Sequence, residues 1–460
     1  MITIDTSLTP AALAPHAEKV FAASAPKIAA LQSRWRDADG TPVFTIAGRY
    51  TSRGWTEWTQ GFQYGSAILQ FDATGDEAML RIGREGTLRL MAPHVTHSGV
   101  HDHGFNNVST YGNLRRLLQE GRLPADAWEG HFYDLALKAS GAVQASRWTQ
   151  LTPDLGYIHS FNGPHSLFAD TIRSLRALSL GHALGHRLMG ENDRPISLLG
   201  RLLAHAETTA RYNVSFGRGR DIYDVPGRVV HESIFNTTDG NYRCGSTQQG
   251  YTPFSTWTRG LAWILCGYPE QLEFLERLPE AELAPFGGRQ AILDRFLEVS
   301  LAVAEFYIRE TPTDGIPYWD TGAPGLVHLG DYLGRPADPF NEHEPVDSSA
   351  AAIAAQGLLR LGHHLTRHGR PAEGGRSTAA GLTVARTLFA EPYLSLDPGH
   401  EGLLLHTVYH RPNGWDHVPP GRTIPCGESA MWGDYHLREL ALLIRRLAAG
   451  DPYLTFFGTI

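Results

Sequence analysis

The feature that most restricts this chain is a succession of about a dozen stretches in which apolar residues return at helical spacing, joined by loops that alternate between short and long. The stretches begin at Ala11–Arg36, where Val20, Ile28 and Leu31 share one face, and at Trp55–Gly65, which leads into a helix through Phe71. They continue as Asp76–Ala92, Asn107–Gln119, Ala125–Ser140, Ser166–Leu188 and Pro195–Tyr212. The last are a helix starting at Ser255, then Gln290–Arg309, Asp347–Arg367, Ser377–Phe389 and Glu428–Leu447. Short strands are expected at Val43–Ile46, at Leu403–Tyr409 and within Val214–Cys244. No change of composition marks a linker, and no repeat is visible. Taken in pairs, the helices can close as six helical hairpins, an all-α (α/α)6 barrel forming a single domain over residues 1–460. A barrel of that kind gathers its long loops, and any site they carry, at one end. A helical solenoid or two bundles would show the same periodicity. Gly61 and Gly65 weaken a helix, which points to a place where something packs closely.

Composition narrows the function. With 42% hydrophobic and 19% charged residues, the chain can bury a large core. A net charge of -8 with no basic stripe argues against nucleic acid or an anionic membrane as partner, and no apolar run reaches membrane-spanning length. The three cysteines, Cys244, Cys266 and Cys426, form no CxxC pair and no even set, and Met1–Ala30 lacks a basic segment followed by an apolar one. Both observations favour a reducing cytoplasm.

Two regions carry candidate chemistry. In Thr247–Trp263, a polar loop punctuated by Gly250 and Pro253 enters an apolar helix that Ser255 or Thr256 is placed to cap. Gln249, Trp257, Arg259 and Trp263 then stand at the helix mouth, where an arginine can take a carboxylate in two parallel hydrogen bonds and a tryptophan can stack on a sugar ring. The plainer reading is a helix start with core aromatics. The second region holds two acids. Asp102 lies in His101-Asp102-His103-Gly104-Phe105, where an Asp is often a cap or turn former. Asp170 lies in Leu167-Phe168-Ala169-Asp170-Thr171-Ile172, on what reads as an apolar helix face. A carboxylate there is costly unless paired or functional. Arg173 and Arg176 are its candidate structural partners, whereas burial beside a second carboxylate would raise its pKa toward that of a general acid. His94, His97, His101 and His103 fall within ten residues, but their spacing matches no zinc motif, so neither a metal nor another cofactor is expected. His231, after Val229-Val230, reads by itself as a structural histidine.

Together these motifs form one ordered pattern: Trp58-Thr-Gln-Gly-Phe, His101-Asp-His-Gly-Phe, Phe168-Ala-Asp170, His231, Thr247-Gln-Gln-Gly-Tyr, Trp257-Thr-Arg-Gly-Leu-Ala-Trp263, Ile316-Pro-Tyr-Trp-Asp320, Asp347-Ser-Ser-Ala-Ala-Ala-Ile353, Glu401-Gly-Leu-Leu-Leu-His406 and Trp432-Gly-Asp-Tyr435. The pattern resembles the unsaturated glucuronyl hydrolases, glycoside hydrolase family 88, over roughly residues 40 to 445. The resemblance implies an (α/α)6 barrel that removes a 4,5-unsaturated uronic acid from the non-reducing end of oligosaccharides left by polysaccharide lyases. The C4=C5 enol ether is hydrated and the resulting hemiketal falls apart. By the same resemblance Asp170 is the general acid/base, and Asp102 is the second essential acid, contacting the sugar and setting the pKa of the first. Trp58, His231, Gln249, Trp257, Arg259 and Trp263 are pocket residues. Ser348 and Ser349 open a helix whose N–H groups face the site and favour an anion. The sequence departs from the family in places. Ser174 stands where Asn is common, Leu261 where Gln is typical, Phe161 where a pocket Trp is common, and Thr252-Pro253-Phe254-Ser255 where an acidic run is usual; Gly190–Leu199 and Ser215–Val230 are longer. The departures bear on the leaving sugar and the uronate. A rhamnogalacturonyl-type hydrolase, a hydrolase of saturated uronosides and a non-catalytic sugar-binding barrel are the competing readings.

Overall fold

The computed structural model describes residues 1–54, 57–124 and 126–458. Twelve helical segments carry the fold among them. In chain order they are α1 (Pro10–Arg34), α2 (Gln60–Thr74), α3 (Glu77–Leu90) and α4 (103–119, with a π turn at Val108–Gly112). Next come α5 (Ala127–Ser146), α6 (171–183, in two pieces), α7 (Leu198–Tyr212) and α8 (Thr258–Leu275). The series ends with α9 (Arg289–Arg309), α10 (Ser348–Arg367), α11 (Pro371–Leu388) and α12 (Met431–Ala449). Side-chain caps fix many of the starts: Asp76 accepts from the Ala78 N–H at 2.9 Å, Asp126 from Glu129 and Ser197 from Gly200, both at 3.0 Å.

The even-numbered helices touch one another in a closed ring, α2 to α4, α6, α8, α10, α12 and back to α2, while the odd-numbered ones pack outside. The expected barrel of six hairpins is therefore present. Inner helices are buried almost all round, as in α8 and α10, which is why their sequences carry small residues wherever two backbones meet. Gly61 and Gly65 show this directly. A Cβ on Gly61 would lie 2.4 Å from the Cα of Asn106, and one on Gly65 would lie 2.7 Å from the Ser109 carbonyl oxygen. The close packing expected of that pair is thus the α2–α4 contact.

The remaining chain forms loops and small antiparallel sheets, Phe44–Ile46 with Arg49–Thr51 and a three-stranded sheet of Ser166–Phe168, Glu232–Phe235 and Tyr242–Ser246. Several expectations are corrected here. Ser166–Phe168 is a strand, not helix, so Asp170 sits at a strand-to-helix junction rather than within a helical face. Helix α8 begins at Thr258 after Trp257, and neither Ser255 nor Thr256 caps it. Leu403–Tyr409 makes only isolated bridges, at Leu404 and Leu405. Trp55, Thr56 and Ala125 lie outside the described residues. Among the described residues no helix is long and apolar enough to cross a membrane.

Candidate active site

The N-terminal ends of α4, α6, α8 and the loop 401–416 surround a cavity of about 320 Å3. Trp58, Phe105, Phe161, Trp257, Trp263, Tyr409 and Trp415 wall it, and Asp102, Asp170, His101, Gln249 and Arg259 supply its polar atoms. Larger hollows of about 650 and 880 Å3 open around Arg277 and around Arg201. The acids that line them, Glu282, Asp154 and Glu207, are not buried, so neither hollow offers an acid with a perturbed environment.

Both acids stand at the cap position of a short helical piece, Asp102 before His103–Asn107 and Asp170 before Thr171–Ser174, yet neither side chain makes a capping bond. They turn instead toward one imidazole. His101 Nε2 lies 3.6 Å from Asp102 Oδ1 and 3.6 Å from Asp170 Oδ2. All three residues are buried. Among the described residues, the Asp170 Oδ1 atom and both His101 ring nitrogens have no hydrogen-bond partner. The arginines considered as partners for Asp170 point elsewhere, to Glu270 and Glu439, which removes the structural explanation for this acid.

The electrostatics differ from the sequence expectation. Burial pushes the Asp170 carboxyl up, but His101 and His231 outweigh it and hold its pKa below the usual value. Burial, joined by the like charge of Asp170, raises the Asp102 pKa. Burial pushes His101 down, and the two carboxylates more than restore it, so its pKa stands above the ordinary imidazole value. The expected increase at Asp170 therefore falls on Asp102, because an imidazole that the sequence did not single out lies between them. The two acids have divergent environments, the arrangement that separates proton donor from acceptor.

Ser174 gives one departure from the family pattern a physical role. Its hydroxyl donates to the His101 carbonyl at 2.5 Å and accepts from the Gly104 N–H at 3.0 Å and from Gln144 Nε2 at 2.8 Å. It thereby clamps the loop bearing Asp102 to the helix bearing Asp170. A Cβ at Gly104 would fall 2.0 Å from the Ser174 carbonyl oxygen, so this contact requires glycine there.

The other expected residues divide into two groups. Trp58, Gln249, Trp257, Arg259 and Trp263 line the cavity. Trp58 stacks on Trp432, with centroids 5.1 Å apart at 26°. Arg259 is largely committed internally. One terminal nitrogen donates to Asp347 Oδ2 at 2.6 Å and to the Val408 carbonyl, and the other to Gln249 Oε1 at 3.0 Å and the Tyr409 carbonyl at 2.8 Å. With its terminal N–H groups occupied, Arg259 orients the Gln249 amide and supplies positive potential, and the expected two-bond grip on a carboxylate is not open to it. His231 packs between Phe168 and Trp257. Its Nδ1 accepts the Gln248 N–H at 3.0 Å, so Nε2 carries the proton, and that buried N–H has no partner among the described residues. Burial lowers its pKa to about 4.

Ser348 and Ser349 do not line the cavity. Both are fully buried, and the Asp347 carboxylate already takes the Ser349 and Ala350 N–H groups, so the α10 N-terminus holds its own anion. Leu261 is in the apolar core. Phe161 faces the cavity, its ring roughly parallel to that of His101 at 6.0 Å.

Of the four clustered histidines, His94 and His103 are buried with both ring nitrogens engaged, and burial lowers each pKa to about 4. They are structural. His101, Asp102 and Asp170 present ligand-type atoms within 4.8 Å of one another, a set that can also close on a cation, as can Glu276, His364 and His368. The latter set lies at the far end of α8 and α10.

With this geometry in view, the comparisons with known proteins are specific. No family model matches the chain. A protein of Bacillus sp. (strain GL1) named unsaturated glucuronyl hydrolase is 28% identical over 413 residues, 88% of this chain and 91% of that protein. The chain is a homologue of the unsaturated glucuronyl hydrolases. A second relative of that family, named unsaturated chondroitin disaccharide hydrolase, comes from Streptococcus pyogenes serotype M1 and is 25% identical over 422 residues, 90% of this chain and 86% of that protein. The crystal structure of the unsaturated glucuronyl hydrolase from Bacillus sp. GL1 superposes with a TM-score of 0.69 at 24% identity, covering 94% of this chain and 97% of that one, which bears out the helical barrel.

Proposed function

We propose that this glycoside hydrolase releases a 4,5-unsaturated uronic acid from the non-reducing end of lyase-generated oligosaccharides by hydrating the C4=C5 enol ether. The observation that carries the reading is the convergence of two buried, uncapped carboxylates on one imidazole at an aromatic-walled cavity, in a chain homologous to enzymes named for such substrates. Apolar walls suit sugar faces, and the cavity, near the small end of ligand pockets, fits little more than one ring.

In the proposed mechanism Asp170 delivers a proton to C4, leaving a cation shared by C5 and the ring oxygen. Its conjugate base then takes a proton from the water that attacks C5. The hemiketal opens to a ketone at C5, and the hemiacetal left at C1 expels the leaving sugar as an alcohol. In the free enzyme the Asp170 pKa is held low and that of His101 high, which makes His101, 3.6 Å from Asp170 Oδ2, the group placed to supply the proton. The arriving uronate adds negative charge, which favours the protonated form of Asp170. Asp102 holds His101 and the sugar, Trp58, Trp257 and Trp263 stack on its ring, and Gln249, fixed by Arg259, and the His231 N–H donate to its oxygens. A saturated uronoside would need two acids that face each other across the scissile bond; here an imidazole lies 3.6 Å from both acids and fills the space between them.

The same proposal treats 1–460 as a single catalytic domain, supported by an apolar cluster that runs from Ile2 to Phe457, and places it in a reducing cytoplasm, supported by three free cysteines. The test is to mix the protein with unsaturated disaccharides of differing linkage and follow the enol-ether ultraviolet absorbance. Decay that persists with a chelator present supports the reading. Absence of decay on every disaccharide, with release of saturated uronate from a uronoside, overturns it.

A further inference from the structure

Beside the cavity, two loops build a surface that the pocket chemistry does not use. The segment 247–257 starts and ends in the cavity wall, at Gln248, Gln249 and Trp257. Between them, Tyr251 and Phe254 turn outward, 47% and 56% exposed. Phe254 stacks on Tyr223 of the loop 215–230, with centroids 4.4 Å apart at 28°, and the adjoining Ile222 is 88% exposed. Large apolar side chains grouped in the open mark a binding surface more often than a scaffold.

The scaffold beneath them is well determined. The Asp224 carboxylate accepts from the Phe216, Gly217 and Arg220 N–H groups at 3.0 to 3.1 Å, which shapes the loop. Buried Arg228 donates to the Tyr223 carbonyl and, at 3.1 Å, to the Pro253 carbonyl, locking the two loops together. Tyr251 is pinned through its N–H to Asp320 Oδ2 at 2.8 Å, and Asp320 bridges to Trp257. The two loops and the stacked rings of Phe254 and Tyr223 are thus held in place before any ligand arrives. They also lie close to the cavity: Tyr251 is two residues from Gln249 and Phe254 three from Trp257, at most about 11 Å of extended chain. Two of the neighbouring cations are paired, Arg218 with Glu298 and Arg220 with Asp221, and the side chains turned outward between them are aromatic and apolar.

We propose that Tyr251, Phe254 and Tyr223 form a platform on which the reducing-side sugars of the substrate stack, so that chains of three or more sugars are better substrates than disaccharides. This rests on the proposed function, because it assumes that the non-reducing end occupies the cavity. Aromatic faces suit it, since the C–H face of a pyranose and an aromatic ring bury each other without leaving a polar group unpaired.

The experiment compares kcat/KM for an unsaturated disaccharide and for the tetrasaccharide carrying the same terminal linkage, in the wild-type protein and in Phe254→Ala and Tyr223→Ala, each checked by thermal melt. A KM about three- to tenfold lower for the tetrasaccharide is expected of stacking on this scale, with that advantage lost in both variants and disaccharide turnover unchanged. No length preference in the wild-type protein, or an equal loss on both substrates in the variants, overturns the platform. Should the wild-type protein turn over neither substrate, the proposed function fails by itself. Calorimetry with the saturated trisaccharide that corresponds to the leaving chain then decides the platform: binding weakened by Phe254→Ala supports it, and equal or absent binding overturns it.

Discussion

Two clusters of buried charge lie three residues apart on the chain and are built on opposite terms. Around Arg173, three arginines (Arg173, Arg176, Arg360) meet three glutamates (Glu270, Glu273, Glu439), and each guanidinium nitrogen of Arg173 has a partner: Nε to Glu270 at 2.8 Å, one terminal nitrogen to Glu439 at 2.9 Å and the other to His436. Burial pushes Glu270 and Glu439 up, yet the arginines hold both below the usual carboxylate range. Around Asp170, two acids share one imidazole across gaps of 3.6 Å. Burial of charge is common to both and so identifies neither. Charge matching distinguishes them: three arginines set against three glutamates hold the barrel together, whereas two acids around one imidazole have capacity for a ligand or a proton.

The comparison can be broken by substitution. The largest effect is expected from Asp170→Asn, which should lower turnover by about 10²- to 10⁴-fold while leaving the melting temperature nearly unchanged. Kinetics beside a thermal melt check this, and a variant that unfolds would place Asp170 with the structural cluster. Glu270→Gln should do the reverse. Leaving Arg173 and Arg176 short of a counter-charge should cost about 3–5 kcal/mol of stability in a denaturant titration, with kcat per folded molecule retained.

A finer contrast lies in pH. His101 has a raised pKa, so its ion pairs contribute stability that is complete below about pH 6.5 and fades as pH rises through the higher folded value. Asp170, with a lowered pKa, contributes stability that is present above about pH 3.9 and fades as pH falls through its lower folded value. Asp102, raised, works against the fold as it ionises. His101→Gln should therefore remove the alkaline fall in melting temperature, and with it the alkaline limb of the rate profile; an unchanged profile would show that His101 holds no working proton. The smallest effect belongs to Ser174→Ala, about 1 kcal/mol of stability and less than tenfold in kcat/KM, measured by the same melts and kinetics.

The helices and Asp170 were legible in the sequence because each is local: a period of 3.6, and a carboxylate among apolar neighbours; the closed barrel and the role of Asp102 were legible only through the ordered set of motifs and the family it resembles. What was hidden is what depends on distant partners. His101 gains its meaning from Asp170, 69 positions away, and Arg259 loses its free N–H groups to carbonyls some 150 positions on. Ser348 and Ser349 read as an anion site until Asp347 was seen to fill it. The strand at Ser166–Phe168 is too short and too apolar for periodicity to separate it from a helix. Tyr409, His410 and Trp415 line the cavity from an irregular loop that offers no pattern to read.

The cavity is blind. Phe105 and Trp263 close its inner end, and the Arg173 cluster lies behind Trp263, so no chain can thread through. Only a terminus can enter, and under the proposed reaction only a terminus bearing the double bond reacts. Once that sugar is gone, the shortened chain presents nothing further to hydrate. On that reading each oligosaccharide is used once, and the yield of free sugar counts the cuts a lyase has made, whatever the length of the pieces.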